Sequence, residues 1–279
     1  MTAQEYRSKH EELMAKWESE ARSWLLNTRN DDLAQNIPFF RDGVTCPEVW
    51  FEDNNSFRPL FILKEVSTGK NKIDEVQDFL SIWGNKRTFE FAQYEFDDIK
   101  VGTFSQWKRI ARLAKAFETV HNGTFPCDYS KYDMSFWDNG KLYSGNILGY
   151  KDPEGKNSKR TANPTYNDII NKIAILELKK VGAGQTVTSE LSLATEYYTN
   201  HIEKFKSNLS EQIKLINPTV IIGLGRENGK CITELLKDNN INVDNYIVIE
   251  GYHHTRSSNA NFYDAPLLKY MEALKNKEN

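Results

Sequence analysis

An α/β fold with a mainly parallel sheet between two helical layers is predicted from three features of this chain. Short apolar, β-branched runs recur at residues 60–65, 173–178, 219–224 and 246–250. Amphipathic stretches of helical period separate them. Polar, glycine-bearing turns follow the runs, at residues 181–185, 223–229 and 251–258. Strands that alternate with helices pair in parallel through crossovers, and the crossover helices cover both faces of the sheet.

Taken in order, residues 3–27 read as a helix, because Tyr6, Leu13, Trp17, Trp24 and Leu25 recur at spacings near three, four and seven. This apolar stripe is expected to pack on the main domain. Turn signals then surround a short strand expected at residues 48–51, and residues 60–65 form the first buried strand. Residues 104–118 place Trp107, Ile110, Leu113, Ala114 and Phe117 on one helical face. Residues 119–165 are rich in Gly, Asn, Asp, Tyr and Lys and read as a long loop-rich insertion. A strand at 173–178, a turn at 181–185 and a helix at about 189–216 come next. A strand at 219–224, a helix at 227–237, a strand at 246–250, a turn at 251–258 and a helix at 262–276 complete the order. The expected organisation is an N-terminal helical extension over 1–57 and one α/β domain over 58–279.

The 279 residues suffice for one large core, and 27% charged against 39% hydrophobic residues marks a globular chain. No apolar run approaches the roughly 20 residues of a membrane span. The charged N-terminus has no signal-peptide apolar region, so a cytoplasmic location and no membrane partner are expected. The net charge of −3 excludes neither DNA nor a small substrate. Cys46, Cys127 and Cys231 are far apart, which argues against disulfides, a zinc centre or an iron–sulfur cluster. They are expected to be buried small hydrophobes. Neither cofactor nor metal is expected, and the protein is expected to be a monomer.

Two phosphate-binding motifs fail on spacing. Residues 61–71, FILKEVSTGKN, run from a strand into Gly69-Lys70, but Lys64 stands where a P-loop needs glycine, and Asn71 offers no hydroxyl for magnesium. The stretch Gly223-Leu224-Gly225-Arg226-Glu227-Asn228-Gly229 has the spacing G-x-G-x-x-x-G, which is not the dinucleotide fingerprint. What remains is a set of polar strand ends. Parallel strands deliver these ends to one edge of the sheet, where ligands bind. Lys64 and Glu65 end the first strand, and Glu177 to Gln185 follow the second. His253 and His254, two of only five histidines, follow the last.

Four stretches of this chain resemble the uracil-DNA glycosylase superfamily over roughly residues 58–276. Residues 59–69, PLFILKEVSTG, stand where that family has its first active-site turn. Residues 173–184, IAILELKKVGAG, resemble its strand ending in Asn-x-x-Lys. Residues 218–225, PTVIIGLG, match its P-x-V-I-x-x-L-G strand. Tyr252-His253-His254-Thr255 stand where it has its closing H-P-S turn.

The resemblance implies a three-layer α/β/α fold of that type and hydrolysis of a base–deoxyribose bond in DNA after the base is flipped out. Glu65 becomes the candidate catalytic carboxylate, with an ion pair to Lys64 as its structural alternative. His253 becomes the candidate donor to the leaving base, although His254 replaces the family's proline and is open to the same role. Phe79 and Trp83 lie where the family stacks the base, and their spacing of four equally suits a buried helix face. Lys64, Lys180, His254, Thr255, Arg256 and Ser257 are the candidate DNA contacts. Glu177 departs from the family's Asn. An ionised carboxylate only accepts hydrogen bonds, so it suits the exocyclic amine of a cytosine and meets uracil O4 as a second acceptor. The implied substrate is a modified cytosine, hydroxymethylated or glucosylated, of the kind met in anti-phage defence. Uracil excision and a catalytically silent DNA-binding module stand as the alternatives.

Overall fold

The computed structural model describes residues 1–29, 39, 41–51, 56–68, 110, 113–118, 120–122, 137–138, 141–142, 171–184, 191–225, 232–238, 241–251 and 265–278. Helix α1 (Ala3–Arg29) comes first, followed by a single turn of helix, α2 (Pro47–Trp50). Strand β1 (Pro59–Thr68) precedes helical residues at 113–118, and the short strands β2 (Trp137–Asp138) and β3 (Lys141–Leu142) follow. Strand β4 (Ala174–Gly184), helix α3 (Leu191–Ile216), strand β5 (Val220–Leu224), helix α4 (Ile232–Asp238), strand β6 (Ile247–Gly251) and helix α5 (Ala265–Glu278) complete the order.

Four strands form one all-parallel sheet in the order β4-β1-β5-β6. The order explains which helix covers which face. From β1 the chain passes to β4 on one side, and from β4 it crosses β1 to reach β5 on the other. Right-handed crossovers in opposite directions place their helices on opposite faces. Accordingly Leu113, Ala116 and Phe117 pack with Leu267, Tyr270 and Met271 of α5 on one face, against Phe61, Leu63, Ile175 and Ile222. On the other face, Tyr6, Met14 and Trp17 of α1 pack with Phe205, Leu209 and Ile213 of α3, against Leu60, Ile62, Leu176 and Ile221. Alternate residues of each strand thus feed two separate apolar cores. Burial of these side chains is the main stabilising term, at about 1.5–3 kcal/mol each.

Three local expectations change. Residues 47–50 are helical rather than extended, because Pro47 at the first helical position has no amide to donate and a φ already suited to a helix. There the indole of Trp50 donates to the Ile216 carbonyl at 2.9 Å. The glycines after residue 180 do not turn the chain. Strand β4 continues to Gly184, paired with Ser67 and Thr68 of β1. Cys46 is only half-buried, with its thiol 3.8 Å from a Glu48 carboxylate oxygen.

Outside β4 lies a short antiparallel cover. Val44 bridges Ala174, the Ile175 N–H donates to the Gly43 carbonyl at 2.9 Å, and the Thr45 N–H donates to Ile173 at 3.1 Å. Helix α1 holds this cover in place. Arg41 pairs with Glu11 at 2.6 Å and Glu18 at 2.7 Å, and the Tyr6 hydroxyl accepts the Val44 N–H at 3.0 Å. At the N-terminal end of β1, His121 lies between Ser56 (3.2 Å) and the Tyr270 hydroxyl (2.9 Å) and ties the helical residues near 121 to α5. Partial burial lowers the His121 pKa below its usual value.

Candidate functional site

The sheet has an asymmetric C-terminal edge. Strands β1 and β5 pair from Pro59↔Val220 to Ile62↔Gly223 and then part. Strand β1 stays with β4 for longer, through Leu63↔Glu177 and Glu65↔Lys179 to Thr68↔Gly184. Between Glu65 and Ser67 the register slips, so that four residue steps on β4 (Lys179 to Ala183) face two on β1. Such bulges bend a strand and re-aim its residues. Strands β5 and β6 end together at Leu224↔Gly251. The β1–β4 ribbon therefore projects past the β5–β6 pair.

The chain leaves β1 toward β4 and next reaches the sheet at β5, so the order reverses between β1 and β5. In parallel α/β sheets this reversal point, at the carboxyl ends of the strands, is where ligands bind. Glycine shapes the β5–β6 side of it. Gly225 has φ 120°, a backbone state that favours glycine, and its N–H donates to Gly251 at 3.2 Å. A Cβ on Gly251 would lie 3.1 Å from a Leu224 methyl and 3.2 Å from the Gly223 carbonyl.

Glu177 sits at the level where the strands part. Its pair, Leu63, is the next residue after Ile62, which makes the last pairing with β5. The Glu177 side chain is buried, at 7% exposure. It shares its sheet face with Ile175, while Leu176 and Leu178 face α1 and α3. The backbone of Glu65 lies in the projecting ribbon, two residues beyond Leu63. The structure therefore brings the Glu177 and Glu65 positions to one end of the sheet. Lys64 is in the same ribbon. Phe79, Trp83, His253, His254, Thr255, Arg256 and Ser257 lie outside the described residues. Strand β6 ends at Gly251, at the same sheet edge and two positions before His253.

Lys180 does not belong among the candidate DNA contacts. It is fully buried and faces α1, with its ammonium 5.3 Å from the centre of the Trp17 ring and paired with Asp42. The cause is strand alternation: residue 180 falls on the face of Leu176 and Leu178, under the N-terminal helix. Burial pulls the Lys180 pKa below its usual value, while the charges of Asp42 and Glu177 oppose the shift.

Asp42 is the centre of a buried polar cluster. Its Oδ1 accepts from Lys180 and, at 2.8 Å, from Gln212 Nε2. Its Oδ2 accepts the Glu177 N–H at 2.6 Å. Its backbone carbonyl accepts from Gln212 at 2.9 Å and from His10 Nε2 at 2.7 Å. A carbonyl only accepts, so His10 carries its proton on Nε2. Burial holds the His10 pKa down to about 3, which keeps the ring neutral at pH 7.

Sequence reasoning missed this cluster. The available signal was Gln212, a polar residue within the apolar stripe of Leu209, Ile213 and Ile216 on α3. A buried glutamine amide needs partners. Nothing local in the sequence named Asp42, which is 170 residues away.

Among the described residues, no group of three or more His, Cys, Asp or Glu side chains gathers to hold a metal. No described helix is long and apolar enough to cross a membrane. No protein-family model matches the chain, and no curated protein or solved structure matches it.

Proposed function

We propose that this chain is a DNA glycosylase of the uracil-DNA glycosylase type. It hydrolyses the N-glycosidic bond of a flipped-out modified cytosine in phage DNA, hydroxymethylated or glucosylated, and leaves an abasic site. One observation carries the reading. Three of the four stretches that resemble that superfamily are strands β1, β4 and β5, and the fourth directly follows β6. These strands are neighbours in one parallel sheet. Stretches far apart in sequence thus run toward one edge, as an active site assembled from strand ends requires. The helical layers on both faces agree with the three-layer fold of that superfamily.

The chemistry assigns each position a role. As the C1′–N bond breaks, its electron pair leaves with the base and positive charge grows on the sugar. Glu65, in the projecting ribbon, orients the water that adds to C1′ and takes its proton. His253, or His254 beside it, donates to the departing base, an electrostatic contribution of about 3–4 kcal/mol by analogy with oxyanion donors. Glu177 accepts from the exocyclic amine of the base, which uracil lacks. Its burial where β1 and β5 part supports this role, because an edge reader acts from a water-poor site.

The test is base release from DNA carrying uracil, cytosine, 5-hydroxymethylcytosine or glucosylated hydroxymethylcytosine, with alkali to cut at abasic sites. Breaks only at a modified cytosine are the expected result. Breaks at uracil keep the enzyme class and remove the specificity. Intact strands with bound DNA make the chain a silent binding module.

A further inference from the structure

We infer that Asp42, outside the sheet and in none of the four superfamily-like stretches, is a positioning residue that sets the base preference through Glu177. The inference rests on the glycosylase reading above. Along the outer edge of β4, residues 43–45 supply backbone partners to Ile173 and Ile175. Next along that edge comes the Glu177 N–H, and there the Asp42 side chain takes the place of a strand carbonyl, at 2.6 Å. A carboxylate acceptor makes a stronger bond than a carbonyl. The clasp is itself held from two sides, by Lys180 and Gln212 on Oδ1. Lys180 also links the two carboxylates electrostatically, since Glu177 acts on the same buried ammonium. The backbone that carries Glu177 is thus fixed at the outer edge of β4 by a charge-assisted bond from Asp42, whose other partners are His10 of α1, Gln212 of α3 and the buried Lys180.

The geometry identifies a selective variant. In Asp42→Asn one acceptor oxygen becomes an amide NH2. Lys180 and Gln212 both need the remaining oxygen, so the NH2 group faces the Glu177 N–H and that bond is lost. Gln212→Leu weakens the cluster but leaves the Asp42–Glu177 bond in place. Both variants are to be assayed on glucosylated hydroxymethylcytosine and uracil DNA, with folding verified by circular dichroism. Amide hydrogen exchange at Glu177 is read in parallel.

The expected result for Asp42→Asn is faster exchange at Glu177 and a change of roughly tenfold or more in the ratio of the two base-release rates, the effect of one charge-assisted hydrogen bond. Gln212→Leu is expected to leave that ratio unchanged. An equal fall on both substrates in folded Asp42→Asn, or an unchanged ratio, overturns the inference and leaves the glycosylase reading intact. If Asp42→Asn does not fold, Asp42→Ser, which keeps an acceptor hydroxyl on a shorter side chain, is held to the same ratio. A wild-type protein that releases no base from any DNA removes the glycosylase reading, and this inference with it.

Discussion

Lys180 and Asp42 form an ion pair whose side chains are 0% and 7% exposed, between β4 and helix α1. Removing one partner leaves the other charged and buried. Asp42→Ala and Lys180→Met are each expected to lower stability by about 3–5 kcal/mol. The double variant should lose clearly less than the sum, because neither charge is then stranded. Urea unfolding of the three variants measures this, and additive losses would show that the pair is not coupled.

Gly43 makes room for two side chains of α1. A Cβ there would sit 2.5 Å from the Tyr6 hydroxyl and 2.8 Å from His10 Nε2, at φ +153°. Gly43→Ala is expected to cost about 1–3 kcal/mol, the range for backbone held in a disfavoured state, and more where the ring cannot move. Tyr6→Phe removes the nearer atom. In the Gly43→Ala background it should therefore cost less than it does alone, and thermal melts of the four proteins give that cycle.

The pH dependence of stability carries the mark of His10. Its folded pKa is held down to about 3 by burial, from an unfolded value of 6.5. Below pH 6.5 the unfolded chain therefore binds a proton that the native state refuses. Stability from this residue is complete above pH 6.5 and falls as the pH drops toward 3, by up to about 3 kcal/mol at pH 4. His10→Gln keeps a side-chain N–H donor and does not titrate. It should show a shallower loss between pH 6.5 and 4 than the wild type, and parallel curves would refute the assignment.

How far the sequence was legible depends on the distance over which each feature is encoded. Strands β1, β4, β5 and β6 were readable because Phe61-Ile62-Leu63, Ile175-Leu176, Val220-Ile221-Ile222 and Ile247-Val248-Ile249 are apolar runs between turn signals. Helix α1 was readable from the stripe Tyr6, Leu13 and Trp17. Two features were not. The extension of β4 through Gly182 and Gly184 is dictated by pairing with Ser67 and Thr68, over one hundred residues away, and overrides the local preference of glycine for turns. The burial of Lys180 depends on a partner at Asp42, 138 residues earlier. A lysine at a strand end read alone suggests a phosphate contact. Of the candidate site, the placing of positions 65 and 177 at one end of the sheet was legible from the alternation of strands and helices, and the polar cluster behind Glu177 was not.

On the proposed function Lys64 is a phosphate contact, whereas Lys180 is buried and is not. Each phosphate contact adds about 0.9 to the slope of log affinity against log salt, so Lys64→Ala should lower the slope for DNA by about one. Lys180→Met should leave the slope unchanged, whatever it does to stability. Fluorescence anisotropy between 50 and 200 mM salt, the range over which such effects are pronounced, distinguishes them. A reduced slope for Lys180→Met would contradict its burial.

Glu177→Gln adds a donor to an edge that only accepts. A carboxamide tolerates uracil O4, so release of uracil relative to modified cytosine should rise by roughly tenfold or more, within the 1–3 kcal/mol of a base contact. Competition assays on mixed DNAs read this ratio directly. A ratio that stays fixed would mean that Glu177 does not read the base.

The strip from Asp42 to Thr45 also acts as a guard. The outer rim of a parallel sheet is a row of unmet amides and carbonyls, the template on which foreign strands add and aggregates begin. Here the chain occupies that rim on β4 with its own backbone, through Val44 and Ala174, and continues the seal with a carboxylate at Glu177. The same few residues that hold the Glu177 backbone therefore close the rim from Ile173 to Glu177 to an added strand.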